Sequence, residues 1–599
     1  MPIAQLQDVT GRTFDYIVVG GGTSGLCIAA RLTEDPNVHV LVLEAGKANI
    51  NDPLLLRPAS YAAQFDNPDY DWSFKTAPQK YANGTEYPWA RGKGLGGSSG
   101  INFMCWTKPP ADEIDDWARL GNPGWNWENY QKYSHRTEKC VYPSEEVITK
   151  HGLKVEGWRN GTDGPLLTAF PAKISAAELD VQQTLINRGI PLAPKPLDGD
   201  CRGVFFGTNT VDPKTSTRSY ATTAFFLPNK DRKNFLVLVE ARVNRLVTEK
   251  DKDGLVTASG VEFSVNGQNY YVHPKKEVIV AAGGLKTPQL LELSGMGNPK
   301  LLKQLGIPLV LDLPGVGENV QEHCFIGTTW ELRDDVSFET LDVLRDPKIA
   351  AEHLELHKAA QGLFTMGMVG FCFVPLQMLS KRAEEIHKKA REKILKNEDK
   401  YPLGLLAQYR IQLERLERQS PGCEMIHFPG FLSRPNPPKE GKKYITMLSL
   451  MNHFFSRGTI HSKSRDPAED PEFDPHYFEE DIDLETFIEA VKFARDLPKT
   501  EPFKSLVVQE VNPGPEVQTD KQIGDWIKAN MSTTYHTAGA CSMLPKVHGG
   551  VVDPKLKVYG TSNIRVADIS VIPLHFASHT QATVYAIGEQ AADIIKGRA

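Results

Sequence analysis

Apolar positions near the amino terminus come in short runs whose period changes abruptly. Tyr16 to Val19 is an apolar, β-branched run of strand type, and a glycine turn at Gly20, Gly22 and Gly25 follows it. Ala29, Ala30 and Leu32 then continue as a helix, with small residues where it must lie close to a sheet. Val38 to Leu43 forms a second strand that ends at Glu44. Near the other terminus, TQATVYAIGEQAADIIKG begins at Thr580 with helical periodicity. Residues 380–420 space Ile, Leu and Ala among dense charge, which predicts amphipathic helices broken near Pro402. Such helices form a solvated cover over a neighbouring domain or present a partner-binding surface. PNPPKEGKK, from Pro435 to Lys443, predicts an exposed loop. No internal repeat interrupts the pattern.

The first strand–turn–helix–strand unit has a chemical reading. Gly20, Gly22 and Gly25 occupy the G-x-G-x-x-G positions, which serve a tight turn, close backbone approach and helix–strand packing. The helix opened by Thr23 and Ser24 turns its first amides toward a pyrophosphate. Glu44, followed by Ala45, ends the second strand where an acid accepts hydrogen bonds from ribose hydroxyls and repels the extra phosphate of NADP. The turn predicts a dinucleotide and does not separate NAD from FAD.

Composition narrows the class. A chain of 599 residues outgrows one core, so two domains are expected, interleaved in sequence. A net charge of −6 without a basic run argues against nucleic acid. No apolar stretch is long enough to span a membrane, and the first residues lack signal-peptide character. The expected location is intracellular, or extracellular if a leader has been removed. Eight scattered cysteines without a C-x-x-C pair read as reduced thiols, neither a zinc site nor a disulfide framework. The N-x-S/T triplets at Asn83, Asn160 and Asn530 read as chance.

The segment GKGLGGSSGINFMCWTKPPADEID, from Gly92 to Asp115, resembles the first signature of the glucose–methanol–choline oxidoreductases, a family of FAD enzymes. GGLKTPQLLELSGMG, from Gly283, resembles the second signature, with Gly284 where the family has a small residue bearing a side chain. LPGVGENVQEH, TYHTAGACSM, NIRVADISVIP and SHTQATVYAIGEQAADIIKG follow in family order, so the resemblance runs from Asp15 to Gly597. It implies an α/β (α+β) chain. A discontinuous Rossmann-like FAD domain draws on residues 10–50, 85–120, 230–320 and 550–599. A substrate domain built on an antiparallel sheet flanked by helices takes residues 51–84, 121–229 and 321–549.

The resemblance also assigns positions. Gly96, Gly97, Ser98 and Ser99 would press against the flavin diphosphate, and Asn102 would lie beside the isoalloxazine with Phe103 next to it. Val243 would meet adenine through its backbone, and Asp568 would accept hydrogen bonds near the ribityl–phosphate chain. Some members carry a flavin-linking histidine just before the asparagine; Ile101 stands there, which implies non-covalent FAD. No family metal ligands are present. Of the 16 histidines, His353, His357 and His387 read as surface residues and His323 as structural. His536 and His579 fall on the family's catalytic pair.

A neutral imidazole can take the hydroxyl proton of an alcohol as its carbinol C–H weakens. His536 is assigned as that base and His579 as the partner holding the alcohol oxygen, although the two can exchange roles. The amides around Thr580 and Gln581 would face charge gathering on the reduced cofactor. Phe103 and Trp106 suggest an aromatic pocket suited to aryl, allylic or furan-type primary alcohols, with O2 or another electron acceptor. A sugar oxidase or dehydrogenase and a flavin-bound, non-redox cyclase or lyase remain alternatives. The oligomeric state is open.

Overall fold

In a computed structural model, which describes residues 3–151, 153, 155 and 159–598, two large sheets divide the chain. The first runs in the order Phe235–Leu238, Val40–Leu43, Thr13–Val19, Gln268–Val280, Val256–Val265 and Arg242–Lys250, with Ile564–Val566 also on Gln268–Val280. Its centre is parallel: Val18 pairs with Val42 on one side and Ile279 on the other. That explains the unbroken apolar runs, because both faces of these strands are covered. Helix Thr23–Leu32 and helix Gln581–Ile595 pack together on one face. The last helix carries Glu589, fully buried and held by Arg31 and Arg136. The strands of this one sheet come from widely separated stretches of sequence, as a discontinuous Rossmann-like layer requires.

The second sheet is antiparallel, in the order Val507–Asn512, Cys324–Leu332, Tyr444–Met451, Cys423–Phe428, Gly370–Val374 and Gly203–Phe206. Alternation sorts its side chains. Phe371, Phe373, Ile426, Phe428, Leu448 and Leu450 form one face, while Cys372, Val374, Met425, Met447 and Met451 join a core with Val181, Leu185, Phe487 and Val491 from covering helices. Helices form at Ala383–Lys396 and Leu403–Glu417, with Pro402 opening the second. Their outer faces are solvated, but Arg415 points inward and is 1% exposed, so the segment is more than a cover. The Pro435–Lys443 loop is largely exposed. All eight cysteines are buried free thiols. Among the described residues no helix is long and apolar enough to cross a membrane.

Candidate active site at the junction of the two sheets

One cavity runs from the glycine turn to the inner face of the antiparallel sheet. Gly20, Gly22, Thr23, Ser24, Glu44 and Ala45 line one end, and Val243 joins them. Two glycines show why the backbone is bare here. A Cβ on Gly25 would stand 2.0 Å from Gly20 O, so this glycine sets the helix against the strand. Gly97 has φ +53°, and a Cβ there would stand 2.8 Å from Gly22 Cα, so the two turns touch through bare backbone. Gly25 and Gly96 themselves stand behind the wall of the cavity, which Ser98, Ser99, Ile101 and Asn102 continue.

The acids are oriented by main chain. Glu44 accepts from Gly21 N and Gly46 N, each at 2.8 Å, and burial raises its pKa. Asp568 accepts from Gly283 N at 2.9 Å, Thr287 Oγ1 at 2.6 Å and Ser570 N at 2.8 Å; burial raises it too. Asp568 therefore braces the opening of helix Gly283–Leu293 while lining the cavity. Asn102 Oδ1 accepts from Arg218 Nη1 at 2.6 Å. Thr580 and Gln581 open the last helix at the cavity wall. Both amide atoms of Gln581 and the Nε of Arg242 are buried without a partner among the described residues. An amide and a guanidinium Nε without partners on the wall of a cavity with two bare glycine turns suit a large polar cofactor such as FAD.

His536 and His579 meet at the other end, ring centroids 5.1 Å apart and nearly perpendicular. His536 arrives on a short antiparallel ladder: Cys324 pairs with Thr533, and Gln321 with Ala538. This ladder sets His323 beside it, Nδ1 to Nδ1 at 3.0 Å. His323 thus lies against His536, because the strand Cys324–Leu332 of the second sheet begins at the next residue. His575 Nε2 lies 2.9 Å from His536 O. Tyr535, just before His536, has φ +63°, a strained conformation for a tyrosine. Burial, then His579, His575 and Arg91, hold the His536 pKa well below the usual histidine range.

His579 Nε2 lies 2.8 Å from Glu424 Oε1, and Asn452 Nδ2 donates to the other carboxylate oxygen at 3.2 Å. Glu424 stands in the row Phe325, Leu450, Glu424, Phe373 across the sheet, a charge among three apolar side chains. Charge at the second position of CEMIHF was the available sequence signal; its partner lies 155 positions away.

Aromatic groups close the space in front of the histidines. Phe103 stacks on Tyr61 at 5.2 Å and meets Phe65 edge-on at 6.2 Å, while Phe65 meets Tyr535 at 5.1 Å. Phe325, Met368, Ile426, Leu432, Leu448 and Leu450 complete an apolar wall. Trp106 is a correction to the sequence reading. It does not line this cavity but is fully buried in the core of the first sheet, with Nε1 donating to Glu138 Oε2 at 2.6 Å. Its strand Cys105–Trp106 turns alternate side chains to opposite sides, and the indole takes the inner one.

A dinucleotide cradle opening onto paired imidazoles at a second, antiparallel layer defines a cofactor-dependent enzyme. The GMC oxidoreductase family matches at residues 14–325 and again at 455–588. The chain belongs to the GMC oxidoreductases, whose members bind FAD. It is 31% identical to a GMC oxidoreductase family protein of Malassezia sympodialis, over 98% of this chain and 93% of that one. It is 30% identical to patulin synthase of Aspergillus clavatus, covering 98% and 92%. Among solved structures, an FAD-dependent oxidoreductase from Chaetomium thermophilum superposes with a TM-score of 0.89 at 29% identity, covering 98% and 99%. A fungal aryl-alcohol oxidase superposes with a TM-score of 0.85 at 28% identity, covering 97% and 98%.

Proposed function

We propose that this oxidoreductase converts apolar primary alcohols of aryl, allylic or furan type to aldehydes, using dissociable FAD. The observation that carries the reading is the His536–His579 pair at the mouth of an aromatic pocket on the cofactor cavity. Such a wall desolvates a flat apolar substrate and gives the many hydroxyls of a sugar few partners. Ile101, with no nucleophile in its side chain, supports non-covalent binding.

The residues that would hold FAD are the Gly20–Ser24 turn, Glu44, Ser98, Asn102, Val243, Asp568 and Gln581. Bound there, FAD supplies the two-electron acceptor for the carbinol hydride. The protein manages the proton. His536 Nε2 has no partner among the described residues and takes the hydroxyl proton. Glu424 accepts Nε2–H of His579, and His579 holds the alcohol oxygen through Nδ1–H when both ring nitrogens carry protons. The aromatic rings exclude water, which strengthens both hydrogen bonds.

Anaerobic mixing of holoenzyme with benzyl alcohol and, separately, glucose tests this, with loss of flavin absorbance as readout and air as the reoxidant. Benzyl alcohol should bleach the flavin rapidly, and His536→Ala should slow that by at least ~100-fold. Bleaching by glucose alone would transfer the reading to sugars. No bleaching by any alcohol or sugar would point to non-redox chemistry. Denaturation in acid should release free FAD.

A further inference from the structure

The hydrogen bonds around His536 determine which of its nitrogens carries the proton. Thr534 Oγ1 lies 3.0 Å from the carbonyl oxygen of His323 and 3.0 Å from His536 Nδ1. Thr534 Oγ1 donates its single proton to that carbonyl, so toward His536 the hydroxyl oxygen is an acceptor. Nδ1 of His536 therefore carries a proton and Nε2 a lone pair. Two N–H groups cannot face each other at 3.0 Å, so Nδ1 of His323 is an acceptor as well. Its own proton sits on Nε2, which is buried without a partner among the described residues. An unsatisfied buried donor is costly and calls for an explanation.

The ring of His323 is held in this pose. Its centroid lies 3.7 Å from that of His575, its N donates to Glu322 Oε1 at 2.9 Å, and its O also accepts from Thr534 N at 2.9 Å. His575 has no freedom of its own. Phe576 N donates to its Nδ1 at 3.0 Å, so its Nε2–H goes to His536 O. Glu322 Oε1 also accepts from His536 N at 2.7 Å, and Arg91 stands 3.9 Å from Oε2. The titratable groups facing the pair are then Glu322, Arg91, His453, His575 and His579.

We propose that His323, with Thr534, is the positioning residue for proton abstraction: its Nδ1 lone pair fixes the Nδ1–H tautomer of His536, aims Nε2 at the substrate hydroxyl, and strengthens its hold on the Nδ1 proton as Nε2 is protonated. This rests on the reading of His536 as the base. The O–H bond of the alcohol breaks, the N–H bond forms at Nε2, and the positive charge is shared along the Nδ1–H···Nδ1 contact. Burial and the neighbouring rings oppose that charge, so a dedicated acceptor is needed.

The test uses holoenzyme and anaerobic flavin reduction by benzyl alcohol across the accessible pH range, with His323→Asn, His323→Leu, Thr534→Val and His536→Ala. Asn retains an acceptor near the Nδ1 position and Leu does not. His323→Leu should lower the limiting reduction rate about 10- to 100-fold, with little change in KM, and shift the acid limb to lower pH. His323→Asn should recover about 10-fold of that loss. Spectra of the oxidised holoenzyme labelled with 15N-histidine should show His536 protonated at Nδ1, and this preference should weaken in His323→Leu. If His323→Leu loses its flavin, Thr534→Val carries the test, with a smaller loss in rate and the same shift of the acid limb. Equal rates and acid limbs in the Leu and Asn variants, or resting His536 protonated at Nε2, would overturn the proposal. Full reduction by His536→Ala would instead overturn the reading of the base.

Discussion

Replacing Arg415 with Met would remove a guanidinium that is buried against the loop carrying His575 and His579. Arg415 Nε lies 2.8 Å from Asp116 Oδ2, Nη1 donates to His575 O at 2.6 Å, and Nη2 donates to Glu113 O at 3.2 Å. Glu113 binds the same loop, accepting from Ala577 N at 2.7 Å, and lies 3.1 Å from His453 Nε2. Burial pushes the Glu113 carboxyl up, but His453 and Arg415 outweigh it and hold it at about 2. Removing one member of a buried ion pair costs ~3–5 kcal/mol. Asp116 keeps Arg418 at 2.6 Å and Arg119 at 2.9 Å, which argues for the low end. The orphaned carbonyl of His575 adds about 1 kcal/mol, for a total of ~4 kcal/mol. Unfolding as one unit at about 2 cal/mol/K per residue, the 599-residue chain would lose about 3 °C of Tm. Relaxation of the loop should also slow anaerobic flavin reduction by ~10-fold or more while FAD stays bound. Calorimetry and stopped-flow absorbance read both effects, and Arg415→Lys should recover only part of each. An unchanged Tm together with an unchanged reduction rate would refute the view that this helix clamps the catalytic loop.

Gly97→Ala places a Cβ 2.8 Å from Gly22 Cα at φ +53°, so FAD affinity, measured by flavin fluorescence on titration of apoprotein, should fall at least ~10-fold. Glu424→Gln removes the charge from the bond to His579 and should lower kcat ~10-fold with flavin content unchanged; an unaltered kcat would show that the carboxylate does not support the reaction. The pKa of His461 is raised to about 9 because its hydrogen bonds to Glu292 and Glu318 outweigh burial. Its stabilisation is complete below the unfolded value near ~6.5 and lost as pH rises toward 9, by roughly 3 kcal/mol at most, so Tm should fall over that window and His461→Asn should flatten the fall.

Periodicity, glycine spacing and residue chemistry settled much of this protein locally. A G-x-G-x-x-G turn between two apolar runs can do little but pack a helix close on a parallel sheet, and Gly25 does so against Gly20 O. The two histidines were legible through the resemblance of their short segments to the family's catalytic pair. What no local pattern held was the company they keep. Trp106 looked like pocket lining until strand alternation turned it into the core. Arg415 sits in the charged stretch that predicted a solvated cover, yet it reaches the His575 carbonyl 160 positions away. His323, 213 positions before His536, becomes its neighbour through the pairing of Cys324 with Thr533. Side-chain type and spacing encode what a residue can do, so the sequence by itself determined the cofactor turn and, through its family resemblance, the layered class and the candidate imidazoles. Burial, tautomer and ionic partner depend on chain crossings fixed only when the two sheets close on each other, and those the tertiary structure decided.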